Sequence, residues 1–259
     1  MGRMERQTAA FPRLQHLNIR RCPKLKELSE QLLRVKRVEL HSCERLSISG
    51  YDIETTPLER IEHSISSTSL RIGDCPNMSI PLGCCYDFLE TLGIYGGCDS
   101  LTNIPLDFFP RLSLLQLCSC CNVQMISQEH THNNFKHLYI SGSPQFESFP
   151  SEGLSTPSIV KFSLEKLENL KLLPKGMHIL LPSLTELEII DCPQEEMFCD
   201  GGLPSNIKSV RSLKFETYCL IKRGLGSQRL STNLSIVRVD VESFSGEGFL
   251  PLSYFSANR

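Results

Sequence analysis

The chain has 259 residues, 40% of them hydrophobic and 22% charged, and a formal net charge of -2. This is the balance of a soluble globular protein, and it offers no general electrostatic case for binding nucleic acid or an acidic membrane. No run of about 18 apolar residues suggests a membrane span. The opening "MGRMERQTAAF" lacks the apolar core of a signal peptide, and Arg6 breaks the myristoylation pattern that Gly2 would begin.

These absences place the chain, as an expectation, in the reducing cytoplasm. There twelve cysteines do not argue for disulfides. The sequons at Asn77 and Asn233 then read as chance matches.

Taken in chain order, one frame recurs: apolar-x-x-apolar-x-apolar-x-x-(Cys or small). It appears at Leu14, Leu17, Ile19, Cys22 and at Val35, Val38, Leu40, Cys43. A third copy, Leu70, Ile72, Cys75, has Ser67 in the first apolar place. The fourth, Leu89, Leu92, Ile94, brings Cys98 one residue late. Leu112, Leu115, Leu117, Cys120 is regular again. Phe135, Leu138, Ile140 ends in Ser143, and Ile159, Phe162, Leu164 ends in Leu167. Leu184, Leu187, Ile189, Cys192 is regular once more. The last two copies are assigned to Val210, Leu213, Phe215 with Tyr218, and to Leu234, Val237, Val239 with Glu242.

Successive second apolar positions are separated by 21, 32, 22, 23, 23, 24, 25, 26 and 24 residues. All but one of these lie within the period of leucine-rich repeats. The exception carries an insertion around "SGYDIETTPLERIEHS".

The central apolar-x-apolar puts two side chains on one face of a short strand. One such strand cannot bury that face, but a stack of them builds a parallel sheet over a shared interior. The cysteine falls where the chain must turn away. It is small, is commonly buried, and its S–H can donate to loop carbonyls. Pro23, Pro76, Pro144 and Pro193 follow at the next position and end the strand with no N–H to lose. The returning stretches, such as "SLTNIPLDFFP" and "NLKLLPKGMHILLP", read as irregular or 3₁₀ segments with little long helix.

The fold expected is therefore an α/β solenoid of leucine-rich-repeat type. It is a right-handed coil of about ten repeats, with short parallel strands on the concave face and mostly irregular or 3₁₀ segments on the convex one. Residues 1–10 form a leader and 11–259 the solenoid, with an irregular insertion near 48–66 and an incomplete last repeat.

The phrases "FPRLQHLNIRRCPKLKE", "LPSLTELEIIDCP", "FCDGGLPSNIKS", "FESFPSEGL" and "LLPKGMHILLPSL" resemble the leucine-rich-repeat region of plant intracellular immune receptors of the nucleotide-binding, coiled-coil type. The resemblance covers essentially the whole chain. No G-x-x-x-x-G-K-[ST] loop and no coiled-coil heptads occur, so nucleotide binding and signalling are not carried over, and the chain is expected to be a truncated or partial member. The resemblance implies a protein-recognition module in innate immunity. Its partner would be a pathogen effector, a guarded host protein or the nucleotide-binding region of a receptor. A receptor remnant without function and a substrate adaptor of a ubiquitin ligase are the alternatives.

No cofactor, metal or catalytic residue is expected. "CSCC" at Cys118–Cys121 holds one C-x₂-C pair, and Cys120 is already accounted for as a corner, so the zinc reading is not preferred. The histidines of "HTHNNFKH" read as loop residues, with His137 on a strand. No G-x-S-x-G or H-E-x-x-H occurs.

The candidate protein-binding residues are those between the inward apolar ones. Arg20, Arg21, Lys36 and Arg37 form a basic patch in the first two repeats. Glu186 and Glu188 make an acidic one in the eighth. Arg71, Tyr95, Gln116 and Tyr139 lie between the two poles.

Overall fold

The computed structural model describes residues 13–29, 35–49, 67–80, 86–192, 203–212 and 233–236. Ten strands form one parallel sheet in strict sequence order: β1 (His16–Arg20), β3 (Arg37–His41), β5 (Ser69–Cys75), β6 (Thr91–Gly97), β8 (Leu114–Cys118), β10 (His137–Ser141), β11 (Lys161–Glu165), β12 (Glu186–Ile190), β13 (Ser209–Ser212) and β14 (Asn233–Ile236). Sequential order with every pair parallel requires the chain to circle back after each strand. The molecule is thus the leucine-rich-repeat-like coil that the period implies.

The register places equivalent frame residues opposite one another. Leu17 faces Val38, Leu92 faces Leu115, and Phe162 faces Leu187. From Val38 to Ile189, both strand residues of each frame are buried to within 2% exposure. The interior is thus a continuous ladder of Leu, Ile, Val and Phe rather than a set of separate cores. Burying one such side chain is worth about 1.5–3 kcal/mol.

The last two repeats differ from the sequence reading. Val210, not Leu213, stands opposite Leu187, and Leu234, not Val237, stands opposite Val210. Buried Ile207 takes the place that Leu184 holds one repeat earlier. The apolar frame fits twice in this stretch, at Ile207 and Val210 and again three residues later at Val210, Leu213 and Phe215, and pairing with β12 selects the first. Corrected, the final separations become 23 and 24 residues, closer to the rest. Leu213, Phe215, Tyr218, Val237, Val239 and Glu242 lie outside the described residues, as do 1–10 and most of the insertion. Residues 48 and 49 of that insertion belong to a short strand.

That strand is one of four on the returning side among the described residues. β2 (Glu27–Ser29) pairs with β4 (Ser47–Ser49), and β7 (Asn103–Pro105) pairs with β9 (Met125–Ser127), all parallel. The rest of the described returning side is a 3₁₀ turn at Leu106–Phe108, a four-residue helix α1 (Met177–Leu180) and irregular chain. Short strands appear because Ile104 and Ile126 both point into the core at the same step of successive repeats, which leaves their backbones parallel and in reach. No helix among the described residues is long and apolar enough to cross a membrane.

Corners repeat as regularly as strands. The thiols of Cys22, Cys43, Cys75 and Cys192 donate to the carbonyl two residues earlier, at 3.2–3.5 Å, and Cys120 does so at 3.6 Å. Ser143 replaces the thiol with a hydroxyl on the Ser141 carbonyl, 3.4 Å away. The corner carbonyl then accepts the N–H three residues on, as from Leu25 to Cys22 and Leu46 to Cys43. The proline therefore sits second in a β-turn, where its fixed φ is already correct.

The residue before each corner adopts a positive φ. Arg21, Ser42, Asp74, Ser119, Lys166 and Asp191 lie between 50° and 55°, and Gly142 lies at 58°. For the non-glycine residues this costs about 1–2 kcal/mol each. The ladder offsets part of that cost, since the N–H groups of Arg21, Ser42, Ser119, Gly142 and Lys166 each donate to the next repeat.

Candidate protein-binding face

With alternate strand residues turned inward, the others stand on the open face of the sheet in rows three residues deep. Strand spacing is about 4.8 Å, so cross-strand neighbours touch.

The first three strands form a mostly cationic region. Arg20 and Glu39 pair at 3.2 Å, and Arg20 Nε also donates to Asn18 Oδ1 at 2.9 Å. Asn18 Nδ2 donates to Glu39 as well, at 3.0 Å. Arg20 is thus held within the face and is not a free cation. Arg37 lies at the opposite end of its strand, across from His16 and Ser69, whereas Arg20 lies across from His41. The two arginines are therefore not direct neighbours. Arg71 sits mid-strand, opposite Glu39 and Gly93. Lys36 is exposed just before β3, and Arg21 is exposed at the corner after β1. No ion pair engages Arg37 or Arg71 among the described residues.

The middle of the face carries no formal charge. β6 offers Thr91, Gly93 and Tyr95; β8 offers Leu114, Gln116 and Cys118; β10 offers His137, Tyr139 and Ser141. Two glycines, one here and one on β5, shape the face. A Cβ on Gly93 would lie 2.8 Å from Tyr95 Cε2 and 2.9 Å from its hydroxyl oxygen. The phenol therefore lies back over Gly93, and its hydroxyl donates to Gln116 Oε1 at 2.6 Å. Burial, as the largest influence, raises the Tyr95 pKa, and nearby Arg71 opposes it. Gly73, on β5, plays the same part for His41, whose imidazole occupies the space an added Cβ would need. Next to Gln116, the rings of His137 and Tyr139 stack with centroids 6.5 Å apart.

The seventh and eighth strands, β11 and β12, bring acid to the face. Lys161 Nζ lies 3.3 Å from Glu186 and 3.2 Å from Glu188, and 5.7 Å from the centre of the Tyr139 ring. Burial pulls the Lys161 pKa down, but its hydrogen bonds and attraction to these carboxylates raise it on balance. Ser163 Oγ donates to Glu188 at 3.0 Å. Beyond them, Arg211 of β13 is exposed opposite Glu188.

Sequence reasoning missed Lys161 and the two glycines. A glycine at an outward strand position two residues before a tyrosine, as in Gly93-Ile94-Tyr95, is the signal that could have found one seat. The histidines of "HTHNNFKH" do not share one role either. His130 is exposed and pairs with Asp107 at 3.0 Å. His132, expected in a surface loop, is buried with Nε2 2.6 Å from the Phe109 carbonyl. His137 stands on β10 as expected.

Cys118, Cys120 and Cys121 diverge rather than converge: one is half-exposed on the open face, one is buried in the corner and one is exposed. Among the described residues, no three His, Cys, Asp or Glu side chains gather as a metal site.

Most of this chain has a counterpart in known proteins. A protein of Arabidopsis thaliana named as a disease resistance protein is 33% identical over 254 residues, which is 94% of this chain and 17% of that protein. A second Arabidopsis thaliana protein, also named for disease resistance, is 28% identical over 178 residues, covering 66% of this chain and 10% of its own length. This chain is homologous to a region of plant disease resistance proteins. It spans less than a fifth of the length of the curated relatives it matches. No family model matches the chain, and no solved structure matches it.

Proposed function

We propose that this chain is a non-catalytic protein-recognition module of a plant disease resistance protein, acting in the cytoplasm through the open face of its ten-stranded sheet. The observation that carries this reading is the uncharged middle of that face. There Tyr95, Leu114, Gln116, His137 and Tyr139 adjoin one another, with charged residues on either side. Protein interfaces share this anatomy, with charge depleted and aromatics enriched at the core and a polar rim around it.

The partner is a pathogen effector, a guarded host protein or the nucleotide-binding region of a resistance protein. The last is the most direct to test. The measurement is recovery of a resistance-protein nucleotide-binding region on this chain, wild type against Tyr139→Ala with Arg71→Glu. The expected result is at least a tenfold loss, since anchors near the centre of an interface each contribute about 2 kcal/mol or more. Equal recovery for both, at low and high salt, would remove the open face from this role.

A further inference from the structure

The charge on the open face is ordered along the stack, and that order selects a partner. On β1, β3 and β5 the outward charges are Arg20, Arg37 and Arg71 against Glu39. On β11 and β12 they are Glu165, Glu186 and Glu188 against Lys161. At these alternating positions the first region is two charges positive and the second two negative, with three uncharged strands between. Exposed Arg21 and Lys36 add to the first and Asp74 at the end of β5 subtracts from it, while in the second Lys166 pairs with Glu165 at 3.3 Å and Arg211 stands opposite Glu188. Inside the first region Glu39 is already answered by Arg20 and Asn18, which leaves Arg37 and Arg71 to meet an incoming anion. Inside the second, Glu165 is answered by Lys166 and one ammonium, Lys161, is shared by Glu186 and Glu188, so the acid left over is on these last two, with Arg211 across from Glu188 alone.

Resting on the reading of this face as a binding surface, we infer that its occupant is a protein segment with acidic residues at one end and apolar or aromatic residues beyond. It lies across the strands with its acidic end on Arg37 and Arg71 and its apolar part on Leu114 and Tyr139. Glu186 and Glu188 do not attract this segment. They repel any segment that stays acidic along its length, so they set specificity and direction by exclusion. From Arg71 to Glu188 there are five strand steps, about 24 Å, the reach of about seven extended residues. A short linear segment is long enough to feel both poles.

The test selects displayed random twelve-residue peptides on three folded baits: wild type, Arg37→Glu with Arg71→Glu, and Glu186→Lys with Glu188→Lys. Thermal melting confirms that each bait is folded; a bait that fails is replaced by the single neutral variants Arg71→Gln or Glu188→Gln. Wild type should enrich peptides with acid at one end and an apolar stretch after it. The arginine variant should lose the acidic end, and the glutamate variant should admit acid at both ends. A synthetic peptide of the wild-type class should bind about tenfold more weakly to Arg71→Glu, and more weakly as salt rises. Selected peptides that are displaced by Tyr139→Ala yet show no charge order would overturn the inference and leave the binding face standing. No enriched peptide, or peptides indifferent to Tyr139→Ala, would overturn both.

Discussion

β1 and β8 carry nearly the same phrase, yet the stack treats them differently. Leu112, Leu115, Leu117 and Cys120 are buried to within 1% exposure. Leu14, Leu17, Ile19 and Cys22, at the same steps of the frame, are only partly buried against the core. β8 lies between β6 and β10, while β1 pairs with β3 alone among the described residues. The lesson is that a repeat does not bury its own apolar face. Its neighbours on both sides do so, and a position is worth as much as its place in the stack allows.

The largest effect expected from this contrast is on stability. Leu115→Ala should lower it by about 2–5 kcal/mol through lost burial and a residual cavity. Leu17→Ala should cost less than half as much. Urea unfolding midpoints measure both, and equal shifts would break the comparison between edge and middle. The outward Gln116→Asp, one residue from Leu115, should leave the midpoint nearly unchanged.

Thiol chemistry sharpens the same contrast at single atoms. Burial pushes the Cys120 thiol up to about 12, with the neighbouring Cys118 adding to it, and pushes Cys98 higher still. The thiolate is the reactive form. Among the described cysteines, iodoacetamide at neutral pH should therefore modify exposed Cys121 first and half-buried Cys22 next, leaving Cys98 and Cys120 intact until the chain unfolds. Mass spectrometry of timed samples reads the order. Rapid labelling of Cys120 in the folded chain would show that the middle corners open.

The smallest effect concerns a clamp between middle repeats. Asp107 accepts the N–H groups of Glu129 at 2.8 Å and His130 at 2.9 Å, as well as the His130 ring. Partial burial raises its pKa, but these hydrogen bonds outweigh it and hold the carboxyl below its ordinary 3.8. A lowered folded pKa means that the carboxylate stabilises fully above the unfolded value and that this contribution fades as pH falls through the folded one. Asp107→Asn should thus lower the melting temperature slightly at pH 6, and the difference from wild type should shrink below about pH 4. A difference that persists unchanged in strong acid would mean that the clamp acts by shape rather than charge.

The sequence by itself determined the coil. Its period, the inward apolar pairs and the cysteine corners are all local patterns. A pattern repeated about every 23 residues can be satisfied only by stacking. The resemblance to plant resistance proteins was legible in the same phrases, and the positions of Arg71, Tyr95, Gln116, Tyr139, Glu186 and Glu188 on the open face followed from alternation alone.

Tertiary structure decided what those positions meet. Arg20 turns out to be committed to Glu39, Lys161 stands between Glu186 and Glu188, and Tyr95 reclines over Gly93 toward Gln116. All but the Gly93 contact join residues about one repeat apart, so their partners depend on register rather than on nearby sequence. The shift of Val210 and Leu234 has the same origin. Apolar residues three apart let the frame fit at two places, and only pairing with the previous strand chooses between them. The left-handed corners at Arg21, Ser42 and Lys166 were likewise invisible, because no residue type there demands that geometry. The ladder imposes it, as the next strand's carbonyl waits where the corner N–H must point.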